Sequence, residues 1–71
     1  MTSDEIKNLV CNIALDAMEE HGDNKTEVYR QTGVDQYIIF RMINGEHISV
    51  YKLEDALRKL GYEIEIRKIQ E

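Results

Sequence analysis

The sequence contains no proline and no tryptophan, and it has a single cysteine. One cysteine excludes an internal disulfide, and Cys11, His21 and His47 lack metal-ligand spacing, so neither a metal nor a cofactor is expected. No apolar run approaches the roughly 18 residues that a membrane span needs. There is no glycine-rich phosphate loop, no repeat, no linker and no low-complexity segment. No Ser-His-Asp or Cys-His arrangement has supporting context, and the neighbouring Glu54 and Asp55 do not face each other on a helix. An enzyme is therefore not expected. The start, Met1-Thr2-Ser3-Asp4-Glu5, is acidic and polar, unlike a secretory signal, and a free thiol suits a reducing cytoplasm.

What is present is 71 residues, 42% apolar and 32% charged, enough for one small domain spanning 1–71. A chain this short buries only about 60% of its unfolded surface, so its core is marginal. With disulfide and metal excluded, the expected reinforcement is a partner chain, most simply a second copy. The net charge is −5. All of that excess lies in residues 1–23, where Lys7 faces Asp4, Glu5, Asp16, Glu19, Glu20 and Asp23; residues 24–47 and 48–71 are each neutral. This speaks against a general polyanion binder. The acidic segment is either a solvated face or a surface that repels DNA or attracts a basic partner.

Residues 3–21 read as a helix with Ser3 as N-cap and acids in the first turn. Ile6, Leu9, Val10, Ile13, Ala14 and Ala17 recur at i, i+3, i+4, i+7, as a buried face requires. Cys11, Leu15 and Met18 widen that stripe, either thickening the core or meeting another subunit. Gly22-Asp23-Asn24 ends the helix, with Gly22 in the left-handed position after it. Residues 25–32 form a second helix. After Gly33-Val34-Asp35, with Asp35 as cap, residues 36–43 form a third, stopped by Asn44-Gly45. Ser49 caps a fourth, with Leu53, Ala56, Leu57 and Leu60 at core spacing and Gly61 at its end.

The tail changes period. Tyr62, Ile64 and Ile66 alternate with Glu63, Glu65 and Arg67, which predicts a strand over about 62–69. A lone strand leaves its backbone groups unpaired. Its simplest partner is the same strand of a second subunit across a two-fold axis. An antiparallel register centred on Glu65 places Glu63 against Arg67 of the other copy, but Glu65 against itself. A register centred on Ile66 pairs Glu65 with Arg67 instead. Both remain open. The fold expected is mainly α: four helices with a helix-turn-helix at 25–44 and a C-terminal strand that pairs across a homodimer.

Within the window 25–44 glycine stands at the ninth place, as Gly33, and Val28, Val34, Ile39 and Met42 stand at the fourth, tenth, fifteenth and eighteenth. Gly33 permits the sharp turn, and the four apolar residues lock the two helices at a steep angle. Together with Thr32-Gly33-Val34-Asp35-Gln36, Ile39, Arg41 and Asn44-Gly45-Glu46, this stretch resembles the turn and recognition helix of the Xre/Cro-type helix-turn-helix family. Leu60-Gly61-Tyr62-Glu63-Ile64-Glu65-Ile66-Arg67 is similar to the end of small HigA-like antitoxins and related phage regulators. Gly22-Asp23-Asn24-Lys25-Thr26 is more weakly similar to the opening of the Fis-type motif. Two positions depart from the Xre/Cro pattern. Tyr29 stands where the family has alanine, so its ring must tilt the helices apart or turn outward. Phe40 stands where a small polar residue is common.

The resemblance implies that the third helix reads DNA. Gln36, Tyr37, Phe40, Arg41 and Asn44 fall on its outer face. Gln36 suits adenine N6 and N7, Arg41 suits guanine O6 and N7 or a phosphate, and Tyr37 and Phe40 suit thymine methyls. Lys25, Thr26 and the amide end of the second helix suit a backbone phosphate, as does Lys52. Tyr62, Glu63, Ile64, Glu65, Ile66 and Arg67 would make the dimer. The function expected is a cytoplasmic, dimeric repressor on a palindromic operator, of phage, plasmid or antitoxin type, with double-stranded DNA and a cognate toxin or other protein as partners. The other class of function is a protein-binding module on the same fold, such as a small inhibitor of a nucleic-acid enzyme. It would dock through the acidic first helix or the Tyr37–Phe40 face.

Overall fold

Ile39, Met42, Val28 and Val34 are the largest fully enclosed side chains in the computed structural model, which describes residues 1–69. They sit in a core completed by Ile13, Ala14, Ala17, Ala56 and Leu57. Four helices deliver all of these residues except Val34, which comes from the turn between the second and third: α1 (Ser3–Glu20), α2 (Lys25–Thr32), α3 (Gln36–Asn44) and α4 (Val50–Lys59). The domain is therefore mainly α, and among the described residues no helix is long and apolar enough to cross a membrane. The chief packing is α1 on α3, with α2 closing against both. Ala14 and Ala17 keep the buried face of α1 thin, so it lies close to its neighbours. Enclosing a side chain the size of Ile39 or Met42 stabilises the fold by ~1.5–3 kcal/mol.

Each helix begins on a side-chain cap. For α1 that cap is Thr2 rather than the expected Ser3. The Thr2 hydroxyl accepts the N–H of Glu5, and the Glu5 carboxylate accepts the N–H of Thr2, a reciprocal capping box. Glutamate lies three residues after Thr2 but only two after Ser3, and that spacing decides between the two hydroxyls. Asp35 accepts the N–H of Tyr37 at 2.7 Å and starts α3, and Ser49 starts α4, both as expected. Asn24 does more than end the first turn: its Oδ1 accepts the N–H groups of Thr26 and Glu27 and so caps α2.

Helix α1 ends in a Schellman motif. The N–H of Asp23 donates to the Met18 carbonyl at 2.7 Å, and that of Gly22 to the Glu19 carbonyl. The same pattern closes α4, with Tyr62 donating to Leu57 and Gly61 to Arg58.

Two expectations fail at the ends of the molecule. Ile6 and Leu9, placed in the core by their spacing, are 44% and 49% exposed. The first turns of α1 meet the end of α3 and the loop to α4 across open clefts rather than a closed core. Its periodicity selects the right face, but that face is only partly covered there. Ile6 instead lines the rim of a cleft of about 230 Å³ with Val10, Met42, Ile48 and Leu53.

The second failure is the tail. Among the described residues there is no strand, and residues 62–69 are exposed. A ladder needs a second row of backbone donors and acceptors, and the helices of one chain offer none.

Candidate nucleic-acid interface

The geometry of α3 is set by the turn before it. The Gly33 N–H closes α2 by donating to the Tyr29 carbonyl at 2.8 Å, with Gly33 at φ +83° in the left-handed region. The Thr32 hydroxyl donates to the Val28 carbonyl at 2.6 Å and accepts the N–H of Val34, while Val34 plugs into the core. Asp35 then caps α3. Across this three-residue turn the N–H groups of Gly33 and Val34 and the carbonyls of Gly33 and Asp35 all have partners, which fixes the direction in which α3 leaves the core. Tyr29 meets the spacing problem by turning outward and is 52% exposed.

Helix α3 buries Ile39 and Met42 and presents the opposite face to solvent. Gln36, Tyr37, Phe40 and Asn44 are exposed there. The Lys25 ammonium lies over the Phe40 ring, 4.9 Å from its centroid, so the start of α2 adds a cation to one flank of this face. Lys52, on the first turn of α4, adds a cation to the other flank. It shares a cleft of about 250 Å³ with Tyr37, Ile38, Arg41, His47, Ile48 and Ser49. Asn44 turns its Nδ2 back to the Phe40 carbonyl at 2.9 Å, leaving its Oδ1 as the outward group.

Two of the expected contacts are differently arranged. Thr26 is exposed, but its own N–H and that of Glu27 are already taken by Asn24, so a phosphate there would meet the Lys25 ammonium and the Thr26 hydroxyl instead. Arg41 is half-buried. Its guanidinium donates to the carbonyl of His47 and to the hydroxyl of Tyr37, and it does not stand outward with Gln36 and Asn44. The tail residues Tyr62, Glu63, Ile64, Glu65, Ile66 and Arg67 are all exposed and lie together beyond α4, away from α3 in sequence.

Residues that sequence reasoning passed over also border this surface. Tyr51, 85% exposed, joins Tyr37, Lys52 and Lys59 around a second cleft of about 500 Å³ floored by Val34, Ile38 and Ala56. Its position beside Lys52 was the available signal. Asp55 in the same cleft holds Lys59 at 2.9 Å and Arg58 at 3.0 Å. The hydrogen bond from Lys59 holds the Asp55 carboxyl below its ordinary value, against an opposing desolvation and with lesser help from the charges of Lys59 and Arg58. Among the described residues no cluster of His, Cys, Asp and Glu is assembled for a metal ion. Comparison with protein-family models, with curated proteins and with solved structures finds no match to this chain.

Proposed function

We propose that this chain is a sequence-specific DNA-binding repressor, similar to the Xre/Cro-type regulators, and that it acts in the cytoplasm as a dimer on a palindromic operator. The observation that carries the reading is the outer face of α3. Gln36, Phe40 and Asn44 stand exposed at i, i+4 and i+8, flanked by the ammonium groups of Lys25 and Lys52. In a major groove, Gln36 pairs with adenine, Tyr37 and Phe40 meet thymine methyls, and the two lysines meet phosphates on either side. The tail strands of two copies pair around residues 62–67, which gives the exposed backbone its missing partner. They set two α3 helices about 34 Å apart, one helical turn of DNA.

Selection from random duplex DNA at low salt tests this, with a Gln36→Ala, Asn44→Ala double variant in parallel. A palindromic motif that the variant fails to enrich is expected. No enrichment by the wild-type chain overturns the reading.

One observation favours a second function. Tyr37 and Phe40 leave 57% and 47% of their surface exposed on a motif with no net charge. An aromatic pair of that kind is also the anchor of a protein interface. If no salt-sensitive DNA binding is found at low ionic strength, this face docks a protein partner instead.

A further inference from the structure

Arg41 lies one turn after Tyr37, on the flank of α3 that meets the loop to α4. Its backbone carbonyl accepts the N–H of Glu46 at 3.0 Å. Its Nη1 donates to the carbonyl of His47 at 2.6 Å. One residue therefore grips two successive points of the loop, the first through its main chain and the second through its side chain. Its Nη2 donates to the Tyr37 hydroxyl, and the guanidinium carbon sits 4.6 Å from the centroid of the Tyr37 ring. Its Nε is buried with no acceptor.

An arginine that reads guanine must offer an outward pair of N–H groups to O6 and N7. Each terminal nitrogen of Arg41 commits one of its two N–H groups to an acceptor within the protein, which ties the guanidinium to the loop and to Tyr37 and away from an outward pose, and the third nitrogen is enclosed. Leaving a buried N–H unpaired is unfavourable, so the two terminal bonds and the stacking on Tyr37 must hold this arrangement. The loop it grips runs through half-buried Ile48 to Ser49, which caps α4 by accepting the N–H of Lys52 at 3.4 Å.

We infer that Arg41 is a positioning residue and not a base reader. Its side chain locks the Tyr37 ring along α3 and ties the loop at His47, one residue after the Schellman closure of α3 at Glu46. Through that loop it fixes where the first turn of α4, and Lys52 with it, stands against the face of α3. Its consequence for operator recognition rests on the DNA-binding reading, but the lock itself is a property of the free protein and is testable without DNA.

Arg41 lines both the clefts of about 230 and 250 Å³, so truncation to alanine would remove packing as well as the hydrogen bonds. Two milder variants avoid this. Arg41→Lys keeps the charge but cannot span both acceptors. Tyr37→Phe keeps the ring and removes only the hydroxyl.

Amide hydrogen exchange on the free protein is the first measurement. Arg41→Lys should speed exchange at Glu46, Lys52 and Leu53 about tenfold or more, and Tyr37→Phe by a smaller factor. The amides of Ile13 to Ala17 in α1 should keep their rates. Unchanged exchange around the loop in both variants overturns the proposal, whatever the protein binds. On a selected operator, Arg41→Lys should weaken binding evenly across base positions. Relaxed preference at one base pair, with the loop unaffected, would make Arg41 a reader after all. If no operator is recovered, the exchange measurement still decides the lock, and only the DNA-binding reading falls.

Discussion

The Lys59 ammonium on α4 donates to the carbonyl oxygen of Gly33, 3.4 Å away in the turn between α2 and α3. The last turn of α4 thus supports the joint that aims α3. A Cβ added at Gly33 would meet only the Lys59 Cδ and Cε atoms, at 3.9 and 4.0 Å, which is ordinary contact. Gly33→Ala is therefore expected to cost only the left-handed backbone penalty at φ +83°, about 1–2 kcal/mol. Urea unfolding measures it. Because no steric clash is involved, the same loss should appear in a Lys59→Ala background.

Asp55 makes the same corner sensitive to acid. Its carboxyl is held below its ordinary value by the hydrogen bond from Lys59, helped by the charges of Lys59 and Arg58. A group whose pKa is lower in the folded state stabilises that state above its unfolded pKa, and the contribution fades as pH falls through the folded value. Wild-type protein should accordingly exceed Asp55→Asn in Tm at neutral pH. The gap should narrow and close as the pH drops through and below the carboxylate range. A gap that stays constant across that window would remove the Lys59–Asp55 pair as its source.

The contrast between Met42 and Ile6 separates what periodicity can say from what it cannot. Both lie on apolar faces of predicted helices, yet Met42 is 1% exposed and Ile6 is 44% exposed. Met42→Ala is expected to destabilise by about 2–5 kcal/mol, a large share of what so small a domain possesses. Ile6→Ala should cost below about 1 kcal/mol, because much of that side chain already meets water. Denaturant midpoints at unchanged slope check both values.

The helices were legible because their signals are local. Asp35, Ser49 and Gly61 each act within one turn of the residues they cap or release. Val28, Val34, Ile39 and Met42 announced a tight joint between two helices because four apolar places around one glycine constrain the same turn. Thr2 was missed where two hydroxyls competed, and Asn24 was missed because a residue that follows one helix can also begin the next. The burial of Arg41 was not legible. Its pairing with Tyr37 is an i, i+4 relation on one helix, but the acceptor at His47 exists only once the loop has folded back. The fate of the tail was not legible either, since alternation identifies a strand without identifying its partner.

If two tails pair and α3 reads DNA as proposed, residues 62–69 carry the dimer and the helices the reading face, so the two properties should separate. A fragment ending at Gly61 keeps every core residue and is expected to fold as a monomer on a sizing column. Glu65 then distinguishes the registers. In one chain its carboxylate already pairs with Arg67 at 2.7 Å, fully in solvent reach. In a register centred on Glu65 the two copies of that carboxylate face each other, so Glu65→Gln removes a repulsion and tightens the dimer by about 0.2–1 kcal/mol. In a register centred on Ile66, Glu65 meets Arg67 of the other copy, so the same change loosens the dimer by a similar amount. Dissociation constants from sedimentation at low salt read the sign directly. A fragment ending at Gly61 that still dimerises would place the interface on the helices instead, where the exposed Leu9 and Leu15 of α1 become the next residues to change.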